Sequence, residues 1–502
     1  MRSSPMHNSS RADQTDSWLI RSVGLAFLIT ALVRICLFYY PSIDDVVPLY
    51  YHLVTGQVGT LLDANLKWGR ITTIPVAWIL EWLGFDHSML SKLLFFPNEL
   101  LLALIVGLMI RRARPDLTAS VAVPLILCAT LHPGFFELNS YASARVTIFL
   151  SFCSILSLVH FWSSSPARNG LLCLVTSFIV MTSYQGALGF FMVVVATLVA
   201  FEVARPDIPL KRIAATIGAC ATGFLFSMML NFGVLEMLRS YGVDFIFRRL
   251  STPEMAAKFK IHLSRLGLEI VGPLTTPLTQ NARLFVTGSL IFLAIICLVS
   301  NRPAVRERGP RFWMAVVLII GVIGFAGLQL TSLPFDYTWF PPRTYFWYFA
   351  GLVFVVACAV SVASNRLLSS IWFPVLCWLP VTVLLIASVG LATSYSQGRA
   401  RDFAIAHQIV TKFSDQGFKW DRPIVIGAGQ YLANTGAIGD MHSLLTPHWS
   451  GIYLLGLVAQ KTVIAPSSAQ WLSGEAECSR RRPEIAQFGV SIEPEYALIC
   501  FE

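Results

Sequence analysis

Charged side chains are scarce in this chain: Asp, Glu, Lys and Arg make up 13% of its 502 residues, about half the roughly 25% usual for a soluble domain. That scarcity excludes an ordinary cytosolic enzyme and a disordered chain, both of which need a strongly charged surface. A net charge of +9 does not make the chain a nucleic-acid binder, because the basic residues fall in short groups between apolar stretches and do not dominate a surface. Zinc-type His and Cys spacings are missing, and His132, His442 and His448 stand isolated. Low-complexity tracts and sustained internal repeats are missing too, which removes the inverted-repeat signature of many transporters. What remains is apolar: 55% of the residues are hydrophobic. The composition is that of a polytopic membrane protein.

A helix needs about 17 to 25 apolar residues to cross a bilayer. Trp18–Tyr40, Met89–Ile110, Val146–Trp162, Ala187–Ala204, Ile213–Phe232, Leu284–Ser300, Phe312–Leu330, Tyr345–Ala363 and Ile371–Ala392 meet that need. Leu117–Leu131 and Gly170–Ser183 are shorter and cross only if tilted or extended, so about 11 crossings are expected. Trp18–Tyr40 is too long for a cleavable signal peptide and has no small-residue cleavage site. With residues 1–17 in the cytoplasm, the short inner segments carry fifteen basic residues, among them Arg111, Arg112, Arg114, Arg302, Arg306 and Arg308, against five outside. The positive-inside rule favours this orientation. It requires Ile71–Leu83 to lie on the outer surface without crossing.

Residues 18–392 then form the membrane domain, with two long outer loops: 41–88, where Val46–Val58 and Ile71–Leu83 read as surface helices, and 233–283. The tail, 393–502, holds 19 charged residues in 110, against 46 in the preceding 392. Pro423–Gly427, Lys461–Ala465 and Tyr496–Phe501 read as short buried strands and Arg401–Phe413 as a helix, which together make a small α/β domain outside the membrane. Eight of the ten cysteines lie in apolar spans. Cys478 and Cys500 are in the tail, where an oxidising compartment permits a disulfide.

The first loop opens with Pro41-Ser-Ile-Asp44-Asp45-Val and continues to Lys67-Trp-Gly-Arg70. Adjacent carboxylates at a membrane boundary are costly unless solvated, paired or useful. Asp44 can simply cap the helix that starts near Val46. As a functional pair, one Asp can act as general base while the other positions a partner or helps hold a cation. Glu137 and Arg145 between the third and fourth spans, Ser183-Tyr184-Gln185-Gly186 between the fifth and sixth, and Pro341-Pro-Arg343 before the tenth all fall on the same expected face. Acid, guanidinium and amide groups gathered on one face are what a polar site at a lipid interface requires.

A first span ending in Asp-Asp, a surface-helix loop with Gly69-Arg70, a Ser-Tyr-Gln turn, and a tail starting near Ser394-Tyr-Ser-Gln-Gly-Arg resemble the phage-type, serotype-converting O-antigen glucosyltransferases of the GT-C superfamily. The resemblance implies a GT-C-like helical bundle in the bacterial inner membrane, with outer-face surface helices and a C-terminal periplasmic domain. It implies an inverting transfer of a sugar, glucose being the expected one, from a polyprenyl-phosphate donor to an O-antigen, lipopolysaccharide or related glycan acceptor. The partners are therefore that donor, the acceptor glycan and membrane lipids, with no nucleic acid. Asp44 or Asp45 corresponds to the first-loop carboxylate, the expected base; Arg70, Tyr184 and Gln185 match positions near the site, and Glu137 a second-loop acid. Arg70, Arg145 and Arg343 are the candidates for the phosphate. Asp44, Asp45 and Glu137 together could hold Mg²⁺. A sibling GT-C transferase or polymerase, or a flippase for polyprenyl-linked glycans, is the alternative reading.

Overall fold

The structure, a computed structural model, describes residues 9–39, 46–47, 50–55, 70–82, 92–140, 142–243, 245, 251–271, 277–327, 346–427, 443–445, 448–481 and 488–501. Short turns aside, its helices are α1 (Ser9–Val33), α2 (Thr73–Trp82), α3 (Phe95–Ala113), α4 (Ala119–Thr130), α5 (Pro133–Ser140), α6 (Ala142–Phe161), α7 (Pro166–Ser183) and α8 (Leu188–Val203). They continue with α9 (Leu210–Ser240), α10 (Thr252–Val271), α11 (Pro277–Ser300), α12 (Arg302–Gly327), α13 (Trp347–Val360), α14 (Trp372–Asp415), α15 (His448–Ala459) and α16 (Ser468–Arg481). Six helices among the described residues are long and apolar enough to cross a membrane, and α4, α13 and the apolar part of α1 are shorter apolar helices. This is the architecture of an α-helical membrane protein, and a helix overlaps each of the eleven expected spans.

Aromatic rings fill the centre of the bundle. Phe346 of the turn before α13 packs on Phe135, Phe152 and Phe190 at centroid distances of 5.6, 5.9 and 5.7 Å. Helices α7 and α9 approach closely because both carry glycine at the contact: a Cβ on Gly223 would collide with the Gly170 carbonyl, and one on Gly170 would lie 2.9 Å from the Ala219 carbonyl oxygen. Small residues are the usual means of such close helix packing in membranes. At one end of the bundle arginines bridge helix ends: Arg114 donates to Asn365 at 2.6 Å, Arg308 to Ser361 at 3.2 Å and Arg311 to the Ile208 carbonyl at 2.8 Å.

Helix α2 has ten residues, about 15 Å of rise and too short to span about 30 Å of hydrocarbon. Trp78, Ile79 and Trp82 are exposed along it. In the second long loop, α10 is a twenty-residue helix that apolar-run reading does not find, because its hydrophobic residues alternate with Lys258, Lys260 and Arg265.

The division expected after Ala392 falls inside α14, whose 44 residues run unbroken from the bundle into the tail. The expected helix Arg401–Phe413 is its last part. The tail carries a three-stranded sheet ordered β1-β3-β2, with β1 Ile424–Gly427, β2 Phe488–Ile492 and β3 Ala497–Phe501. The β1–β3 pair is parallel, with Val425 opposite Leu498, and the β2–β3 pair antiparallel, with Val490 opposite Ile499. Two of the expected strands are therefore present. The third, Lys461–Ala465, is reduced to a single bridge between Ile464 and Pro423, since Pro466 follows with no N–H to extend a ladder. Cys478 of α16 and Cys500 of β3 form a disulfide.

Candidate functional site

The turn after Gly69 is stitched to the end of α7. The Thr72 amide donates to the Thr182 carbonyl at 3.3 Å, and the hydroxyls of Thr72 and Ser183 lie 2.5 Å apart. Thr73 closes the start of α2 by donating from Oγ1 to the Arg70 carbonyl at 2.5 Å. This stitching brings the Arg70 guanidinium over the Tyr184 ring, 5.8 Å from its centroid, a cation–π arrangement. Tyr184 is buried while Arg70 is half-buried. The ring can fold back over its own turn only because residue 186 is glycine; a Cβ there would stand 2.5 Å from the Tyr184 ring. Gln185, in the 3-10 turn Gln185–Ala187, is exposed. Three of the expected site residues, Arg70, Tyr184 and Gln185, are thus gathered at one place.

A second polar cluster lies at the corner where α1, α3, α5 and α6 meet. Arg34 Nη1 donates to both carboxylate oxygens of Glu99, at 2.9 and 3.1 Å, and its Nη2 to the His132 carbonyl at 3.2 Å. Asn139 Nδ2 donates to Glu99 at 2.9 Å. Arg145 is fully buried; its Nε donates to the Asn139 carbonyl at 2.7 Å and its Nη2 to the Leu37 carbonyl at 3.0 Å. Those bonds make Arg145 of α6 a tie to α5 and to Leu37, just beyond the end of α1. A buried ion pair needs such additional hydrogen bonds to hold its charges.

The cluster fixes α5. Pro133 occupies the first helical position, where its missing N–H costs nothing, and His132 Nδ1 accepts from the Gly134 amide at 2.9 Å in the manner of a cap. Glu137 lies on this helix; its side chain is outside the described residues. So are Asp44, Asp45 and Arg343, and with them the expected Mg²⁺ set. Among the described residues no group of three His, Cys, Asp or Glu could hold a metal ion.

Both ends of the segment carrying the Asp pair are anchored in described structure. Before it, Leu37 is buried with Phe95, Phe136, Leu391 and Tyr395. After it, Val46 is fully buried in the core of the tail with Ile405, Ile409 and Phe413 of α14 and Ile426 of β1. A line of contacts on α14 joins those two cores. Phe136 meets the Tyr395 ring edge-on at 6.0 Å, the Arg399 guanidinium lies 4.7 Å from the Tyr395 centroid, and Arg399 pairs with Asp402 at 3.2 Å.

Residue reading by itself missed Glu99, Asn98 and Asn139. The available signal was Asn98-Glu99 inside an otherwise apolar span, since a carboxylate there requires a partner, and Arg34 near the end of the first span was a candidate for it. The chain matches no known protein family and no curated protein sequence.

Proposed function

We propose that this chain is an inverting glycosyltransferase of GT-C type that moves a sugar, glucose in the first instance, from a polyprenyl phosphate to a glycan acceptor at the periplasmic face of the bacterial inner membrane. The observation that carries the reading is the meeting of Arg70 with Tyr184. The Gly-Arg loop and the Ser-Tyr-Gln turn are the two motifs that the resemblance assigns to one site, and they are far apart in the chain. The anchoring of Leu37 and Val46 on either side of Asp44-Asp45 lends further support.

The chemistry needs few groups. A glycosidase uses two carboxylates in part because its leaving group must be protonated; a polyprenyl phosphate leaves without that help. One carboxylate, Asp44 or Asp45, takes the proton from the acceptor hydroxyl as its oxygen bonds to the anomeric carbon. The bond from that carbon to the phosphate oxygen breaks, and the anomeric configuration inverts. Arg70 balances the negative charge retained by the phosphate, and Arg343 is a further candidate for that role. Arg145, buried and donating to two carbonyls, is assigned to holding the corner.

The test is sugar transfer by the purified protein in lipid nanodiscs, using a panel of polyprenyl-phosphate sugars and lipid-linked glycan acceptors. Transfer from one donor with inversion is expected; absence of transfer from every donor overturns the reading. Reporter fusions at Glu502 check the orientation, and activity confined to the cytoplasm would remove the periplasmic site.

A further inference from the structure

Tyr50, Tyr51 and Tyr453 meet where the first loop rests on the tail, and the transfer chemistry makes no use of them. Tyr50 is buried, and its hydroxyl accepts from the Val463 amide at 2.8 Å. It fastens the loop to the residues after α15. Tyr51 and Tyr453 stay partly exposed. Their ring centroids are 5.6 Å apart with the planes inclined at 44°, and their hydroxyls lie 3.3 Å apart.

The backbone beneath this pair is unusual. Tyr51–Thr55 is a turn of π-helix, closed by Thr55 Oγ1 donating to the Tyr51 carbonyl at 2.8 Å. Such turns are rare and recur at functional sites. Burial pushes the Tyr453 phenol up from its ordinary value, and either hydroxyl can be the donor of that bond. Whichever of the two hydroxyls accepts in that bond keeps its own hydrogen to donate to a ligand.

Two inclined aromatic faces rimmed by a hydroxyl donor and oxygen lone pairs match a pyranose ring, which offers an apolar C–H face and hydroxyls at its edge. Tyrosine supplies that amphipathic contact at small entropic cost, having two side-chain torsions. Tyr51 stands six residues along the chain from Asp45, and Val46 between them is locked in the tail core. We propose that Tyr51 and Tyr453 form a platform that binds a neutral sugar ring of the acceptor glycan next to the Asp44-Asp45 segment. The proposal rests on the glycosyltransferase reading and assigns the acceptor subsite within it.

Saturation-transfer NMR on the protein in nanodiscs, with a panel of neutral hexose and deoxyhexose trisaccharides, tests the platform apart from turnover. Empty nanodiscs provide the blank. Binding of at least one trisaccharide is expected, with saturation passing from tyrosine ring protons to sugar C–H groups. Tyr51→Phe should weaken it several-fold and Tyr51→Ala or Tyr453→Ala by about tenfold or more, the scale of a well-placed aromatic contact. An intact Cys478–Cys500 disulfide and an unchanged melting temperature certify that each variant is folded. The platform is overturned if no trisaccharide binds, or if folded Ala or Phe variants bind as tightly as the unaltered protein. Sugar transfer from the polyprenyl-phosphate donors to lipid-linked glycan acceptors by the same samples reports separately on the transferase reading: its absence with every donor counts against that reading and leaves the binding result to judge the platform.

Discussion

Asp402 and Ser443 are joined by a 2.6 Å hydrogen bond in which the Ser443 hydroxyl donates to the carboxylate. Asp402 is fully buried on α14. It also accepts from the Leu444 amide at 2.8 Å and pairs with the buried Arg399. One carboxylate therefore ties the long helix to the residues that precede α15.

Removing that carboxylate leaves Arg399 buried without its acid and the Leu444 amide without its acceptor. Asp402→Ala should cost about 3 to 5 kcal/mol, and Asp402→Asn, which keeps an acceptor oxygen, should cost less. Limited proteolysis and thermal melting of the protein in detergent check both. Cleavage after α14 should appear in the Ala variant well below the melting temperature of the unaltered protein.

The Arg34–Glu99 pair offers a sharper comparison. Each single change to Met strands the opposite charge inside the bundle and should destabilise by about 3 to 5 kcal/mol, whereas Arg34→Met with Glu99→Met should recover most of the loss. If the pair only holds α5 in place, the double variant keeps glycosyl transfer. A flippase that used these charges to move cargo would lose transport in all three variants, so one set of membranes separates the two functions.

Asp44→Asn and Asp45→Asn keep the shape of the side chain and its capping ability but remove its basicity. A general base contributes about 10²- to 10⁴-fold in rate. One of the two variants should therefore lose transfer by that factor while still inserting and melting normally. Transfer near the normal rate in both would make the pair a helix cap and shift attention to Glu137.

The disulfide reports on location as well as stability. Cys478 and Cys500 are separated by 22 residues, and closing a loop of that length contributes about 3 kcal/mol in the chain-entropy account. Cys478→Ser should lower the melting temperature of the tail. In whole cells both thiols should resist alkylation until a reductant is added, as an oxidising compartment requires; alkylation without reductant would place the tail in the cytoplasm.

How far the sequence could be read differs between the bundle and its polar corners. Apolar length pointed to helices, and a helix overlaps each of the eleven expected spans, because a bilayer imposes one rule on every segment that crosses it. Strands β1 and β3 were visible as uninterrupted apolar runs. Strand β2, Phe488-Gly-Val-Ser-Ile, was not, since it lies on the edge of the sheet and Gly489 and Ser491 interrupt its apolar run. Continuity of α14 was hidden by the polar stretch Thr393–Ala400, which looks like a linker until Tyr395 and Arg399 are found packed along one face. Arg70 and Tyr184 were named as neighbours of a site through motif resemblance; their contact depends on Thr72 and Ser183, short hydroxyl residues whose pairing no periodicity announces. Arg145, read as a candidate for the phosphate, also donates to backbone carbonyls of its own corner, contacts that only three-dimensional packing reveals.

The unbroken α14 couples the tail directly to the helical bundle. Its 44 residues rise about 66 Å, of which about 30 Å suffices to cross the hydrocarbon, leaving a rigid arm of comparable length whose far half is built into the tail core. A span adjusts to a thinner or thicker bilayer chiefly by changing its tilt. A tilt change of about 10° at the membrane swings the end of a roughly 30 Å arm by about 5 Å. A change in the tilt of α14 would therefore carry with it the β-sheet and the residues fastened to the tail, Val46 and Tyr50.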